Sequence, residues 1–366
     1  MLPVARLGLS LIVPVSVLAL SSLTGTRSGR PSKPMSWDPK IAATYLDART
    51  KAWTSGGAMD HGTFCVSCHT ALTYGLARPV MRSELGENQA SSVERQLLES
   101  VTKRVQLWDQ VQPYLGDKNG GPGTESVLNA LVLSREDALS GHLTETTKQA
   151  LRIMWSQQTK MGERAGAWPW HNFGNEPWEA PDSVYWGATL AAVTTGTAPD
   201  GYLSTPTIQT DFELLKAYLR KGIDDKSLFN RVGLLWASTK IPDLITKEQK
   251  ATIVSDVVSK QRADGGWSTA SLIPPSWTRH DKTPQESRSD GYGTGLVAYV
   301  LEQAGTRRTS RELQRALSWL AQNQDRITGS WPTVSPNITR DASTDSGKFM
   351  TDAATAYAVL ALSNSH

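Results

Sequence analysis

Residues 261–267 read QRADGGW, and looser copies of this stretch occur at residues 166–168 (GAW) and 323–331 (NQDRITGSW). Each Gly-x-Trp turn follows a segment whose apolar residues lie three and four positions apart, which is the spacing of an amphipathic helix. After each turn come a loop, an acidic residue and a second helical segment rich in Ala, Leu and Tyr. The repeated unit is therefore predicted to be a hairpin of two helices.

Three further hairpins without the Trp are predicted around Glu125, from residue 211 to 238 and from residue 41 to 81. The alternating apolar and polar pattern of strands is nearly absent, so the fold class is predicted to be all-α. Six hairpins are the number that closes a double-layered α/α toroid, with one helix of each hairpin inside and the other outside. An open solenoid of stacked hairpins is the competing interpretation.

The QRADGGW stretch resembles the Gln-Trp repeat of squalene and hopene cyclases and of their relatives, the protein prenyltransferase β-subunits. The resemblance implies an α/α toroid in which Trp168, Trp267 and Trp331 brace the outer helices. The Asp-x-Asp-Asp motif of the cyclases is missing, since the adjacent pair Asp224-Asp225 lacks its first Asp. No Cys follows Cys68, so the zinc site of the prenyltransferases is missing too. The resemblance thus concerns the fold and leaves the reaction open.

The first residues have the pattern of an export signal. A short basic segment precedes the apolar run 7–20, and small residues follow it. We predict a signal peptide at 1–21, a flexible leader at 22–39 and a single toroid domain at 40–366, with an uncleaved helical anchor as the alternative. The protein is then exported to the periplasm or the extracellular space. No membrane span is expected in the mature chain, because no later apolar run reaches about 18 residues.

The charge balance gives no reason to expect a nucleic acid partner. Lys and Arg number 38 against 35 Asp and Glu, and the formal net charge of the 366-residue chain is +3. A binder of the phosphate backbone needs an excess of positive charge. The aromatic composition is unusual instead, with 13 Trp against 5 Phe.

Residues 65–69 read CVSCH and contain both cysteines of the chain. Cys-x-x-Cys-His is the attachment sequence of c-type haem. One covalent haem c is therefore predicted, held by Cys65 and Cys68, with His69 as the proximal iron ligand. The alternatives are a Cys65–Cys68 disulfide and a zinc site formed by His61, Cys65, Cys68 and His69. No separate cytochrome domain is visible, so the toroid itself would have to hold the haem.

The sequence offers two candidates for the distal iron ligand. His61 and Met350 are the candidates, the first because it is close in sequence and the second because ring closure would bring the last hairpin beside the first. Met59 is also close in sequence to the motif. His171 and His280 lie in loops that could reach the mouth of the toroid.

Acidic residues recur just before the second helix of several hairpins. Asp182, Asp290 and Asp352 are candidate catalytic residues, and Glu125 occupies a similar place in another hairpin. All four are predicted to lie near the N-termini of inner helices, at the same mouth of the central cavity as the CVSCH motif. The alternative is that these acids only cap their helices.

Three functions from different classes follow from these observations. The first is an exported haem protein that transfers electrons to a redox partner or oxidises an apolar, isoprenoid-like molecule in the cavity. The second is a cofactor-free, cyclase-like or glycan-active enzyme that uses carboxylates at the cavity mouth. The third is a non-catalytic toroid with a Cys65–Cys68 disulfide. Whether the chain is an enzyme stays open; if it is, a haem-dependent oxidoreductase is expected ahead of a terpenoid cyclase.

Overall fold

A computed structural model describes residues 36–56, 59–113, 116 and 119–363. The predicted signal peptide and most of the predicted leader lie outside these residues. The described helices form six consecutive hairpins. In chain order they are α1 (Pro39–Gly56) with α2 (Ala71–Leu85), α3 (Ser92–Gln106) with α4 (Gly121–Ser140), α5 (Glu145–Ser156) with α6 (Ser183–Thr197), α7 (Gln209–Arg220) with α8 (Leu228–Ala237), α9 (Lys247–Ser259) with α10 (Gly291–Gln303), and α11 (Arg311–Asn323) with α12 (Asp345–Leu362).

The two helices of a hairpin differ in burial, and this difference separates the layers. Helix α6 is buried on all sides from Ser183 to Thr195, as expected for an inner helix. Helix α11 buries only Leu313, Ala316 and Leu320, a single stripe at helical spacing. The even-numbered helices form the inner layer and the odd-numbered helices the outer layer.

The inner layer closes on itself. Helix α2 contacts α4, and the contacts continue through α6, α8, α10 and α12 back to α2. This closure confirms the α/α toroid and rules out the open solenoid. A short antiparallel hairpin of β1 (Met59–Asp60) and β2 (Thr63–Phe64) lies between α1 and α2, with Met59 paired to Phe64.

The tryptophans of the three Gly-x-Trp turns hold the C-terminal ends of outer helices. Each indole Nε1 donates a hydrogen bond to a carbonyl oxygen near the end of the preceding outer helix, where helix carbonyls lack partners of their own. The pairs are Trp168 with Met154 at 2.6 Å, Trp267 with Val257 at 2.8 Å and Trp331 with Leu320 at 2.8 Å. The bracing role that the resemblance implies is therefore present in this chain.

A glutamine ties each of these turns to the next outer helix. The side-chain amide of Gln261 donates to the carbonyl of Gly265 in its own turn and to that of Glu312 at the start of α11. Gln158 and Gln324 make the same pair of bonds in their repeats. For Gln324 the next outer helix is α1, reached through the carbonyl of Asp38 at 2.9 Å.

Glycine is required where the turn meets the next outer helix. Gly329 has a φ of 79°, in the left-handed region that other residues rarely adopt. A Cβ there would lie 2.3 Å from the carbonyl oxygen of Ile41. The turn can therefore approach the helix backbone closely only because the side chain is missing.

Among the described residues, the folded unit runs from residue 36 to residue 363. Trp37 packs on Trp331, with 6.3 Å between ring centroids, and the amide of Asp38 donates to Gln324 at 2.7 Å. The last residues of the predicted leader 22–39 thus belong to the toroid. None of the described helices is long and apolar enough to cross a membrane.

Candidate functional site

A cavity of about 300 Å³ opens at the end of the toroid where the inner helices begin. Its walls come from the three loops that precede α2, α6 and α12, together with residues of α1, α4 and the first turns of α12. Because the loops belong to different hairpins, the cavity exists only in the closed ring. The residues that line it include Trp53, Cys65, Val66, Ser67, Cys68, His69, Thr124, Leu128, His171, Phe173, Glu176, Trp178, Glu179, Ser335, Asn337, Arg340, Phe349 and Met350.

The CVSCH motif lies in the wall of this cavity, between β2 and α2. Cys65 and Cys68 are both buried free thiols that line the cavity. Burial raises the pKa of the Cys65 thiol to about 12, so it is protonated at neutral pH. The prediction that the motif lies at the cavity mouth in the first hairpin agrees with this position.

The imidazole of His69 is held in one orientation by aromatic rings. It stacks on Phe349 with 3.6 Å between centroids and meets the edge of Trp53 at 5.3 Å. Burial, reinforced by the positive charges of Arg49 and Arg340, lowers the pKa of His69 to about 3. The ring is therefore neutral at physiological pH, as a metal ligand or a general base must be.

A hydrogen-bond relay fixes which nitrogen of His69 carries the proton. The Thr70 hydroxyl donates to Asp352 Oδ2 at 2.7 Å, so its oxygen is left to accept a bond from His69 Nδ1, 2.8 Å away. Nδ1 therefore carries the hydrogen and Nε2 keeps its lone pair. A hydrogen bond to the other ring nitrogen commonly sets the tautomer of a ligating histidine in this way.

Asp352 lies in the wall behind His69 and is not among the residues that line the cavity. Its carboxylate is 1% exposed and accepts bonds from Arg49 Nε and the Tyr45 hydroxyl, each at 2.8 Å. The residue lies inside α12 and not at its N-terminus, so it does not cap that helix, and its catalytic role stays a prediction. Its contact with the site runs through Thr70.

The other predicted acids are not among the lining residues of this cavity either. Asp290 caps α10, accepting bonds from the amides of Gly293 and Thr269. Asp182 stands at the start of α6 without a capping bond and accepts a bond from the Asn230 amide. Glu125 forms a buried ion pair with Arg104, because α4 begins four residues earlier and carries it inward.

The two distal candidates occupy different places. Met350 is buried and lines the cavity, together with His171. His61 lies on the exposed turn between β1 and β2, where Nδ1 contacts Asp60 at 2.6 Å. Within the described residues no three His, Cys, Asp or Glu side chains are grouped to hold a metal ion, so the predicted zinc ligands are not brought together.

Two carboxyl groups in the cavity wall were missed by the sequence analysis. Burial raises the pKa of Glu176 to about 8, helped by the negative charge of Asp182, and burial raises that of Glu179 to about 7. Both flank Trp178 in the loop before α6. The only sequence signal was the segment Glu-Pro-Trp-Glu at 176–179, which combines acids with an aromatic residue outside the repeat pattern.

No protein-family model matches the chain, and no curated protein matches its sequence. Among solved structures, a polysaccharide lyase is similar with a TM-score of 0.48 and 11% identity, over 88% of this chain and 96% of that chain. A possible member of the GH105 family from Klebsiella pneumoniae has a TM-score of 0.49 and 11% identity, over 95% and 98%. These similarities concern the arrangement of helices. The resemblance to squalene and hopene cyclases stays a prediction.

Proposed function

We propose that the cavity holds one c-type haem, attached through Cys65 and Cys68 and ligated by His69, and that the protein is an exported redox protein. The observation that supports this most is the state of His69 in the cavity wall. The ring is neutral, its Nδ1–H is given to Thr70, and Nε2 keeps its lone pair, while Cys65 and Cys68 in the same wall are free thiols. Attachment requires two cysteines that are not joined in a disulfide, and ligation requires a neutral imidazole.

The lining of the cavity fits such a group. Trp53, Leu128, Phe349 and Met350 offer apolar surface for a porphyrin. Arg340 brings a positive charge that could pair with propionates, since guanidinium groups bind carboxylates well. Glu179 is compatible with a low-polarity environment. Because its pKa is raised to about 7, about half or more of the Glu179 carboxyl is protonated and neutral below pH 7.

Attachment needs no oxidant. Cys65 and Cys68 would each hold the haem by a thioether bond to one vinyl group, with the thiol hydrogen going to the other vinyl carbon. Bound there, the haem would supply one-electron redox chemistry. The chain's own residues would orient the ligating imidazole through Thr70 and keep water from it with Trp53 and Phe349. The partner is then a redox protein or an apolar molecule.

The decisive experiment is the visible spectrum of the protein expressed with its export signal in a host that matures c-type haem. We expect sharp α and β bands after dithionite that stay with the polypeptide through acid–acetone extraction. The double variant Cys65→Ala/Cys68→Ala should lose the retained bands while keeping its helical circular dichroism. A colourless wild-type protein from a competent host would overturn the proposal.

A second candidate function rests on Glu176 and Glu179. A buried carboxyl, Glu176, and a half-buried one, Glu179, both with raised pKa values and both in the cavity wall with Trp178, could serve as the acid and base of a glycan-active enzyme. This candidate predicts that Glu179→Gln abolishes turnover of an oligosaccharide while Cys65→Ala/Cys68→Ala leaves it intact. If instead neither wild type nor variants release products from a panel of plant and bacterial polysaccharides, the candidate is wrong.

A further inference from the structure

Five aromatic side chains form a continuous chain through the centre of the toroid. Trp178, in the cavity wall, is followed by Tyr292, Tyr357, Tyr299 and Trp236. Successive ring centroids are 5.3, 5.6, 6.4 and 5.7 Å apart. The first two rings are also joined by a hydrogen bond of 2.7 Å from the indole Nε1 to the phenol oxygen.

The chain has one end at the candidate site and the other at the opposite end of the toroid. The Trp178 ring lies 6.3 Å from the His69 ring. Trp236 is the penultimate residue of α8, and Tyr299 lies seven residues beyond Tyr292 on α10, a rise of about 10 Å away from the cavity. Tyr299 is half-buried, whereas Tyr292, Tyr357 and Trp236 are at most 1% exposed.

The choice of residues goes beyond what packing requires. A buried core is filled equally well by Leu, Ile or Phe, none of which can be oxidised by one electron under biological conditions. Every member of this chain is Tyr or Trp, the two aromatic side chains that can. Their close and unbroken spacing allows an electron to move from ring to ring while the polypeptide insulates it from solvent.

We propose that this chain carries single electrons between the cavity and the half-buried Tyr299. This inference rests on the proposed haem function. With hydrogen peroxide as the oxidant, one peroxide takes up two electrons and two protons and becomes two water molecules. A one-electron donor that contacts Tyr299, such as a redox protein, supplies the electrons one at a time and is oxidised twice. The five aromatic residues return to their starting states, and each member is oxidised only transiently.

The test introduces an oxidising equivalent at Tyr299 and locates where it goes. The full-length protein is illuminated with a soluble ruthenium polypyridyl complex and an electron-accepting quencher, and oxidised residues are located by peptide mass spectrometry. Tyr299 is the most exposed of the five rings, so the complex is expected to oxidise it first. Oxidised Trp178 therefore reports transfer along the chain, with no dependence on haem or on any enzymatic activity.

Tyr357→Phe removes one oxidisable member while keeping the ring that packs in the core. We expect it to reduce oxidation of Trp178 at least fivefold and to leave oxidation of Tyr299 unchanged. Tyr218 is a half-buried tyrosine outside the chain, and its ring packs at a tilt against Tyr185. Tyr218→Phe is the matched control and should change neither. Equal oxidation of Trp178 in wild type and Tyr357→Phe would overturn the proposal.

The outcome is separable from that of the proposed function. If the absorption spectrum shows no covalent haem, the haem proposal fails, whatever the light-driven experiment reports. If haem is attached but the Tyr357→Phe variant behaves as wild type, the haem proposal stands and the aromatic chain is only packing. In the haem-loaded protein, peroxide should also produce a radical signal in electron paramagnetic resonance that Tyr357→Phe shifts toward the cavity residues.

Discussion

At the scale of single residues, Asp352 is linked to His69 through Thr70, although Asp352 does not line the cavity. Its carboxylate holds the Thr70 hydroxyl, which in turn accepts from His69 Nδ1. An amide at position 352 can donate to Thr70 Oγ1 and thereby turn the hydroxyl hydrogen toward His69. Nδ1 would then accept, and the proton would move to Nε2, the nitrogen needed for ligation.

We therefore expect Asp352→Asn to weaken axial ligation in the haem-loaded protein. The Soret band should shift, and the reduction potential measured by redox titration should move by several tens of millivolts. Asp345→Asn is the matched control, because Asp345 is an exposed partner of the same Arg49 and should leave both unchanged. If Asp352→Asn does not fold, Thr70→Val removes the relay by itself. Wild-type spectra and potentials in Thr70→Val would show that the relay has no role.

The pKa of Glu176 predicts how stability depends on pH. Its folded value, about 8, lies above the unfolded value near 4.5, so the native state holds its proton more tightly. This stability is fully present below about pH 4.5 and is lost as pH rises through 8. Glu176→Gln cannot ionise, so at pH 9 we expect its free energy of unfolding to exceed that of wild type by at least about 1 kcal/mol. Urea denaturation of both proteins from pH 5 to pH 9 measures this difference in the free energy of unfolding.

The exposed Glu213→Gln is the control and should follow the wild-type curve. A Glu176→Gln curve parallel to that of wild type across the range would show that the carboxyl is not held protonated in the cavity.

The residues of the site differ in how well they could be predicted from the sequence. Cys65, Cys68 and His69 form a motif with fixed spacing and could be predicted. Glu176, Glu179 and Arg340 come from loops with no periodicity, so only the folded chain shows that they share a cavity. Asp182, Asp290 and Asp352 occupy similar places in the repeat but point to different surroundings, because helix starts vary by several residues between hairpins.

At the scale of elements, the glutamine of the Gly-x-Trp turn joins neighbouring hairpins. Gln261→Ala leaves the carbonyls of Gly265 and Glu312 without their donor. We expect a loss of about 1–3 kcal/mol in the free energy of unfolding, since partly buried acceptors lose both bonds. Denaturation in urea tests this, with the exposed Gln314→Ala in α11 as the control. Equal losses in the two variants would contradict the role assigned to the motif.

The hairpins themselves could be predicted because apolar spacing and the Gly-x-Trp turn are local signals. The residues at which the helices begin and end were harder to predict. Helix α12 begins at Asp345, seven residues before the acid that the repeat pattern placed at its N-terminus. The Thr344 side chain accepts a hydrogen bond from the Gly347 amide and so caps the helix at an earlier residue. This local cap, and not the acidic position of the repeat, sets the start of α12.

At the scale of the whole molecule, the site depends on closure of the ring. His69 comes from the first hairpin, and its stacking partner Phe349 comes from the last. The bond from Gln324 to the carbonyl of Asp38 joins the same two hairpins on the outer layer. Weakening this contact between the first and last hairpins should therefore affect the cavity.

We expect Gln324→Ala to speed amide hydrogen exchange in α1 and α12 and to lower the yield of attached haem, because Trp53 and Phe349 then hold His69 less firmly. Gln261→Ala removes the equivalent bonds between α9 and α11 and is the matched control. Its faster exchange should be confined to those helices, with haem attachment unchanged. If both variants speed exchange evenly around the ring, the toroid opens as one cooperative unit and the joint between first and last hairpins has no separate influence on the site.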